Sequence, residues 1–129
     1  MTTRRRVVEV ARKKPPPAVE AIRVVVVPDE DPDTSWMDDD ENKDRRTEYE
    51  RGDFQFVGVR AEADVVVEGI LQTLTSAGLW GIESDSGEEY IVEVAGKEYA
   101  ELRKVLVAVG VPTTQLPTEV DRKLVEWRA

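Results

Sequence analysis

The stretch VRAEADVVVEGILQTLT, residues 59–75, decides the fold. Val59, Ala61, Ala63 and Val65 alternate with Arg60, Glu62 and Asp64, the period-two pattern of a half-buried antiparallel strand with its charges in water. Glu68-Gly69 supplies a turn, and residues 70–75 return as the partner strand. A hairpin with one apolar face needs a cover, and the chain downstream provides it. From about Gly87, the residues Ile91, Ala95, Leu102, Val105, Leu106 and Val109 recur at helical spacing. Ser86 with Glu89 fits a capping box at the start of that helix. Gly110 stands at its C′ position, Pro112 forbids continuation, and Gly96 marks a place where it could split. Between hairpin and helix, residues 77–86 (AGLWGIESDS) set Gly78 and Gly81 around Leu79 and Trp80, which predicts a bulge or kink.

Upstream, residues 22–27 (IRVVVV) form a β-branched run stopped by Pro28, a strand buried on both faces. At the other end, Thr118 can cap a short C-terminal helix with Val120, Leu124 and Trp127 at i, i+4 and i+7. The assembled expectation is an α+β domain: a small, mainly antiparallel sheet packed on one long helix, plus that short C-terminal helix. Residues 1–18 read as a basic arm ending in Pro15, Pro16 and Pro17, and residues 19–129 as a single domain with an acidic insertion at 29–53.

The chain has 129 residues and a net charge of −9, unevenly spread: +5 over residues 1–28, −8 over 29–53 and −6 over 54–129. An acidic body repels phosphate backbones and favours basic partners. Six Lys/Arg within residues 4–14 offer only weak, salt-sensitive contact with nucleic acid. The absence of Cys excludes disulfides, thiolate metal sites and cysteine nucleophiles. Without His there is no Ser-His-Asp triad, no histidine zinc site and no imidazole acid–base pair. No apolar run approaches the ~20 residues that span a bilayer, and the run after Arg4–Arg6 is too short and charged for a secretory signal. The expected location is the cytosol.

Four constellations bear on chemistry. Asp29, Asp31, Asp33 and Asp40 take EF-hand positions, but Thr34 stands where the loop needs Gly and Pro32 intrudes, so a solvated acidic loop is the better reading. Pro28-Asp29 followed by Glu41-Asn42-Lys43 spells the order of Mg²⁺-dependent nucleases, yet the second element lacks strand character. Glu62 and Asp64, roughly 7 Å apart on one strand face, have the spacing of an acid–base pair; a solvated face with Arg60 paired to a carboxylate is favoured over it. Ser84, Asp85 and Ser86 precede a helix N-terminus, where capping is preferred to anion binding. The sequence therefore assigns no catalytic residue, no metal ligand and no cofactor. Trp80 is expected to anchor the core where hairpin meets helix, and Trp36, inside the acidic segment, to be the exposed aromatic.

The strings QTLTSAGLWGIESDSGEEYIVEVAGKEYAELRKVLVAVG (72–110) and YERGDFQFVGVRAEA (49–63) resemble a group of small acidic proteins of bacteria, phages and mobile elements that share a GLWGIESDS-type motif. The resemblance implies a prokaryotic cytosol and a mobile-element context, and carries over no catalytic residue. The expectation is a non-enzymatic acidic protein that engages a basic surface of a larger partner through Trp36, Asp38, Asp39, Asp40 and Glu41. One version of that role is a mobile-element-encoded inhibitor of a nucleic-acid-binding host complex. The alternatives are a self-assembling accessory domain with an exposed strand edge and, third, a divalent-metal-dependent enzyme.

Overall fold

The computed structural model describes residues 15–129, so the basic arm before Pro15 lies outside the described residues. Among the described residues five strands form one mixed sheet in the order β3-β2-β1-β5, with β4 also on β2. They are β1 (Ala18–Pro28), β2 (Phe56–Val67), β3 (Ile70–Thr75), β4 (Leu79–Glu83) and β5 (Val125–Trp127). Two α-helices among the described residues accompany them: α1 (Lys43–Glu50) and α2 (Glu88–Ala108). The fold is α+β, as the alternation and the apolar helix stripe predict, and no helix among the described residues is long and apolar enough to cross a membrane.

The β2–β3 hairpin closes as expected, through Glu68 and Gly69 at φ 52° and 80°. Two consecutive positive φ values make a turn whose twist matches the strands it joins. β1 pairs antiparallel with β2, so that Val24 faces Ala61 and Val26 faces Val59. That register puts Val24, Val26, Val57, Val59, Ala61, Ala63 and Val65 on one sheet face, where they pack with Ile91, Val94, Ala95, Tyr99, Leu102 and Leu106 of α2. Gly96 does not divide the helix, which runs unbroken from Glu88 to Ala108 because glycine, unlike proline, keeps its backbone N–H.

Three local expectations are overturned. The C-terminal helix is absent: Asp121, rather than Thr118, accepts from Lys123 N and caps a single 3₁₀ turn, Arg122–Leu124. Residues 125–127 then pair in parallel with Val24–Val26. Val125 and Trp127 fit a strand's alternation as well as a helix's spacing, and the free edge of β1 decides between them. The capping box also fails. Gly87 is the N-cap of α2 at φ 99°, with no side-chain cap, and Ser86 Oγ instead donates back to Glu83 O. In the acidic segment, Asp33, Thr34 and Ser35 are of the type to cap a helix beginning near Trp36; instead Asp39 is the cap, accepting from Asn42 N at 3.0 Å in a 3₁₀ turn ahead of α1.

The kink foreseen at 77–86 is two bulges. From the Glu62–Thr75 pair to the Val59–Leu79 pair, β2 advances three residues while the facing chain advances four. From there to the Val57–Ile82 pair, β2 advances two and the facing chain three. Gly78 (φ 89°) and Gly81 (φ 73°) absorb the two extra residues in a conformation that costs other residues roughly 1–2 kcal/mol. Each bulge is held by a carboxylate. Glu98 of α2 accepts from Ser76 Oγ at 2.9 Å and Gly78 N at 2.8 Å, and Asp29 accepts from Gly81 N at 2.9 Å.

Candidate functional site

The sheet face turned away from α2 carries the polar chemistry. Even-numbered residues of β2 point there: Phe56, Gly58, Arg60, Glu62 and Asp64. The alternation predicts a wet face, yet Glu62 is only 4% exposed. The correction comes from long side chains of neighbouring strands that close over it. Arg23 Nε reaches Glu62 at 2.9 Å, Arg60 Nε at 2.8 Å, and an Arg128 guanidinium nitrogen, just beyond β5, at 3.4 Å. Arg23 also grips Asp64 with both terminal nitrogens, at 2.8 and 3.1 Å, and Thr73 donates to the same carboxylate. Arg60 thus pairs with a carboxylate, as the sequence favours, but inside a network that also holds Arg23, Arg128, Asp64 and Thr73.

This network bears directly on the acid–base reading. Burial pushes Glu62 up, but hydrogen bonds from Arg23 and Arg60 outweigh it and hold the group below its ordinary value. The Arg23 and Thr73 hydrogen bonds lower Asp64 to about 2. Two carboxylates held ionised leave no protonated general acid, the partner that glycosidase-type chemistry requires. The same shifts fix an acid response. A carboxylate with a depressed folded-state pKa stabilises the fold above its unfolded value, 3.8 for Asp64, and loses that contribution as pH falls towards the folded value. The urea midpoint is therefore expected to drop between about pH 4 and pH 2. Asp64→Asn should shrink that drop; an equal drop in the variant would refute the assignment.

At one end of the same face, the acidic segment folds down. Met37, Phe54 and Phe56 are buried with Tyr49 against them, so the apolar residues that look scattered in sequence form a second, small core. Arg45 of α1 fastens it: the guanidinium lies 3.6 Å over the Phe54 ring and bonds Glu83, Glu48 and Asp85. Asp85 is therefore held below its usual range by Arg45.

The residues predicted to bind a partner lie on the outside of this small core. Trp36 is 39% exposed and meets Phe56 edge-on, with ring centroids 6.3 Å apart. Asp38 pairs with Arg46, and Asp39 caps the turn, accepting from Asn42. Asp40 and Glu41 are exposed and make no ion pair among the described residues. Asp29, Asp31 and Asp33 do not converge as a metal loop would require. Asp29 is spent on Gly81 and on Asp31 N, while Asp33 accepts from Ser35 N and Oγ, which lowers its pKa. Among the described residues no group of three or more acidic side chains is arranged to hold a metal ion.

Trp80 is the residue whose place the sequence misjudges. It is 42% exposed and lies on the face opposite α2, flat over Gly58, where a Cβ would come within 2.1 Å of its ring. The two bulges turn it there, and its Nε1 donates to Ala77 O at 3.1 Å. Phe56 and Gly58 are same-face neighbours on β2, so Trp36, which meets Phe56, and Trp80, which lies over Gly58, rest on adjacent positions of one sheet face. Gly58 and Gly78 leave the room the indole needs to lie against backbone, and of these only Gly78 stands near Trp80 in sequence.

A cavity of about 460 Å³ opens elsewhere, between the start of α2 and β5, lined by Ile91, Val92, Val125 and Trp127 with Glu88 and Arg122. Ser84 and Asp85 line it as well; Glu88 and Arg122 are joined at 3.5 Å, Asp85 is bonded by Arg45, and Ser84 Oγ accepts from Gln55 N. No protein-family model, no curated protein and no solved structure matches this chain.

Proposed function

We propose that the protein is a non-enzymatic, cytosolic binding module whose acidic face engages a basic surface on a larger protein. The observation that carries this reading is an ordered acidic ridge beside a half-exposed indole. Asp38, Asp39, Asp40 and Glu41 project from turns that Met37 and Tyr49 anchor to the sheet, next to Trp36. Preorganised charge of one sign steers a partner of the other, and an aromatic at its margin supplies contact area once water leaves. The resemblance of the GLWGIESDS string to mobile-element proteins makes nucleic-acid-binding host complexes, with their basic channels, the partner class to test first. The protein's own charge disfavours direct binding to nucleic acid, apart from weak contact through the arm.

Affinity capture from a bacterial lysate tests this reading, with Asp38, Asp39, Asp40 and Glu41 changed to Ser in the comparison bait. The wild-type bait is expected to retain a basic protein that elutes with salt, and the variant to lose it. Retention indifferent to both the substitutions and the salt would refute the proposal.

A second reading has its own observation. β3 is an edge strand without a charged residue, and its Ile70 and Leu71 are each 63% exposed. Such an edge can pair with a second copy. Light scattering across concentration separates the two: a constant monomer mass excludes assembly through β3.

A further inference from the structure

The Trp80 surface is built for a ligand rather than for the core. Gly58 has no Cβ and lets the ring lie on the backbone; on Gly78 a Cβ would stand 2.9 Å from Nε1. Gly81 supplies the second bulge, and the indole N–H is already tied to Ala77 O. One ring face is thus pressed against β2 while the residue keeps 42% of its surface open. That open side borders a cleft of about 510 Å³, which Val27, Pro28, Asp29, Glu30, Asp31 and Arg60 also line.

The charge around the ring is lopsided. Asp29 is held in place by Gly81 N and Asp31 N. Glu30 and Asp31 are exposed, and their carboxylates make no ion pair among the described residues. Arg60, the cleft's cation, directs its Nε to Glu62 at 2.8 Å. An exposed indole face with uncompensated carboxylates at its rim attracts a cation twice, through the ring quadrupole and through direct charge. A guanidinium suits it best, being flat, weakly hydrated and able to stack while its edge bonds carboxylate. A nucleobase would stack equally well, but its phosphate would meet three carboxylates.

We propose that the cleft between Trp80 and Asp29–Asp31 seats an arginine side chain of the basic protein partner. This rests on the reading that the partner is basic, and adds a second aromatic anchor, over Gly58, one same-face position along β2 from the Phe56 that Trp36 meets.

The test is a ¹⁵N NMR titration of the full chain with an acetylated, amidated Gly-Arg-Gly peptide, its Gly-Lys-Gly counterpart and a short oligothymidylate. The indole resonance of Trp80, assigned by Trp80→Phe, and the Gly58 and Gly78 amides should shift saturably with millimolar Gly-Arg-Gly. Trp127 should stay still, the lysine peptide should bind more weakly, and the oligonucleotide should have no effect. Glu30→Gln with Asp31→Asn, two exposed changes, should weaken the arginine peptide about fivefold. Unmoved Trp80 signals, equal shifts with oligothymidylate, or an unaltered affinity in the double variant would overturn the proposal. Lysate capture that depends on Asp38–Glu41 while Trp80 ignores the arginine peptide would sink this inference and leave the acidic-ridge reading standing. Arginine binding at Trp80 with capture indifferent to the ridge would do the reverse.

Discussion

Gly58→Ala is expected to destabilise the protein by about 2 kcal/mol, although alanine is normally the better strand residue. Gly58 does not have a positive φ, so an added methyl brings no backbone strain there. What it meets is Trp80: the new Cβ would stand 2.1, 2.4 and 2.6 Å from three ring atoms. The indole is rigid, and its Nε1 is bonded to Ala77 O, so relief requires the whole ring to lift from β2. The lifted ring loses its contact with the strand and its Nε1 bond to Ala77 O, while the carboxylate bonds of the two bulges remain. Urea unfolding measures the loss, and a red shift of tryptophan emission reports the lifted ring. The cause can be isolated by a double-mutant cycle, because the penalty should nearly vanish in a Trp80→Ala background. A neutral Gly58→Ala would mean that the ring does not rest on β2.

Glu62→Ala should cost more, about 3 kcal/mol. Glu62 joins three guanidiniums in an almost closed site, and its side chain is 5% exposed. Removing one member of a buried ion cluster costs more than the cluster contributes, since the remaining charges stay desolvated and repel. Asp64 still bonds Arg23 and Glu126 still bonds Arg128, but Arg60 loses its carboxylate and Arg128 its bond to Glu62. Because Arg128 follows β5 directly and its N donates to Val26 O at 2.8 Å, the damage should reach the sheet edge. Hydrogen exchange at residues 125–128 should therefore accelerate more than exchange in α2. Equal acceleration everywhere would mean that the cluster does not hold β5.

These two residues also show where sequence reading reaches its limit. The β2–β3 hairpin and α2 are legible because period-two and period-3.6 patterns run long enough to exclude each other. Alternation correctly puts Glu62 opposite Ala61 and Ala63, but whether that side is wet depends on Arg23 and Arg128, which reach it from β1 and from the chain beyond β5. Residues 118–127 are too short a window to separate Val120-Leu124-Trp127 as a helix stripe from Val125-Trp127 as a strand, and the open edge of β1 settles it. Ser86 and Glu89 match a capping box locally, yet Gly87 at φ 99° turns the chain so that Ser86 points back to Glu83. For the candidate site, the acidity and Trp36 were readable from composition. Trp80 was not: Gly58 lies on another strand, 22 positions away in sequence.

The central claim is that the acidic face recognises a basic protein, and the affinity for the captured partner as a function of salt tests it most directly. Calorimetric titration at rising NaCl should show affinity falling steadily for the wild-type chain, because charge attraction between exposed groups is screened within about 10 Å at 0.1 M. The Asp38, Asp39, Asp40 and Glu41 to Ser variant should bind more weakly at low salt and respond less to it. An affinity that is the same for both proteins and flat with salt would contradict the account.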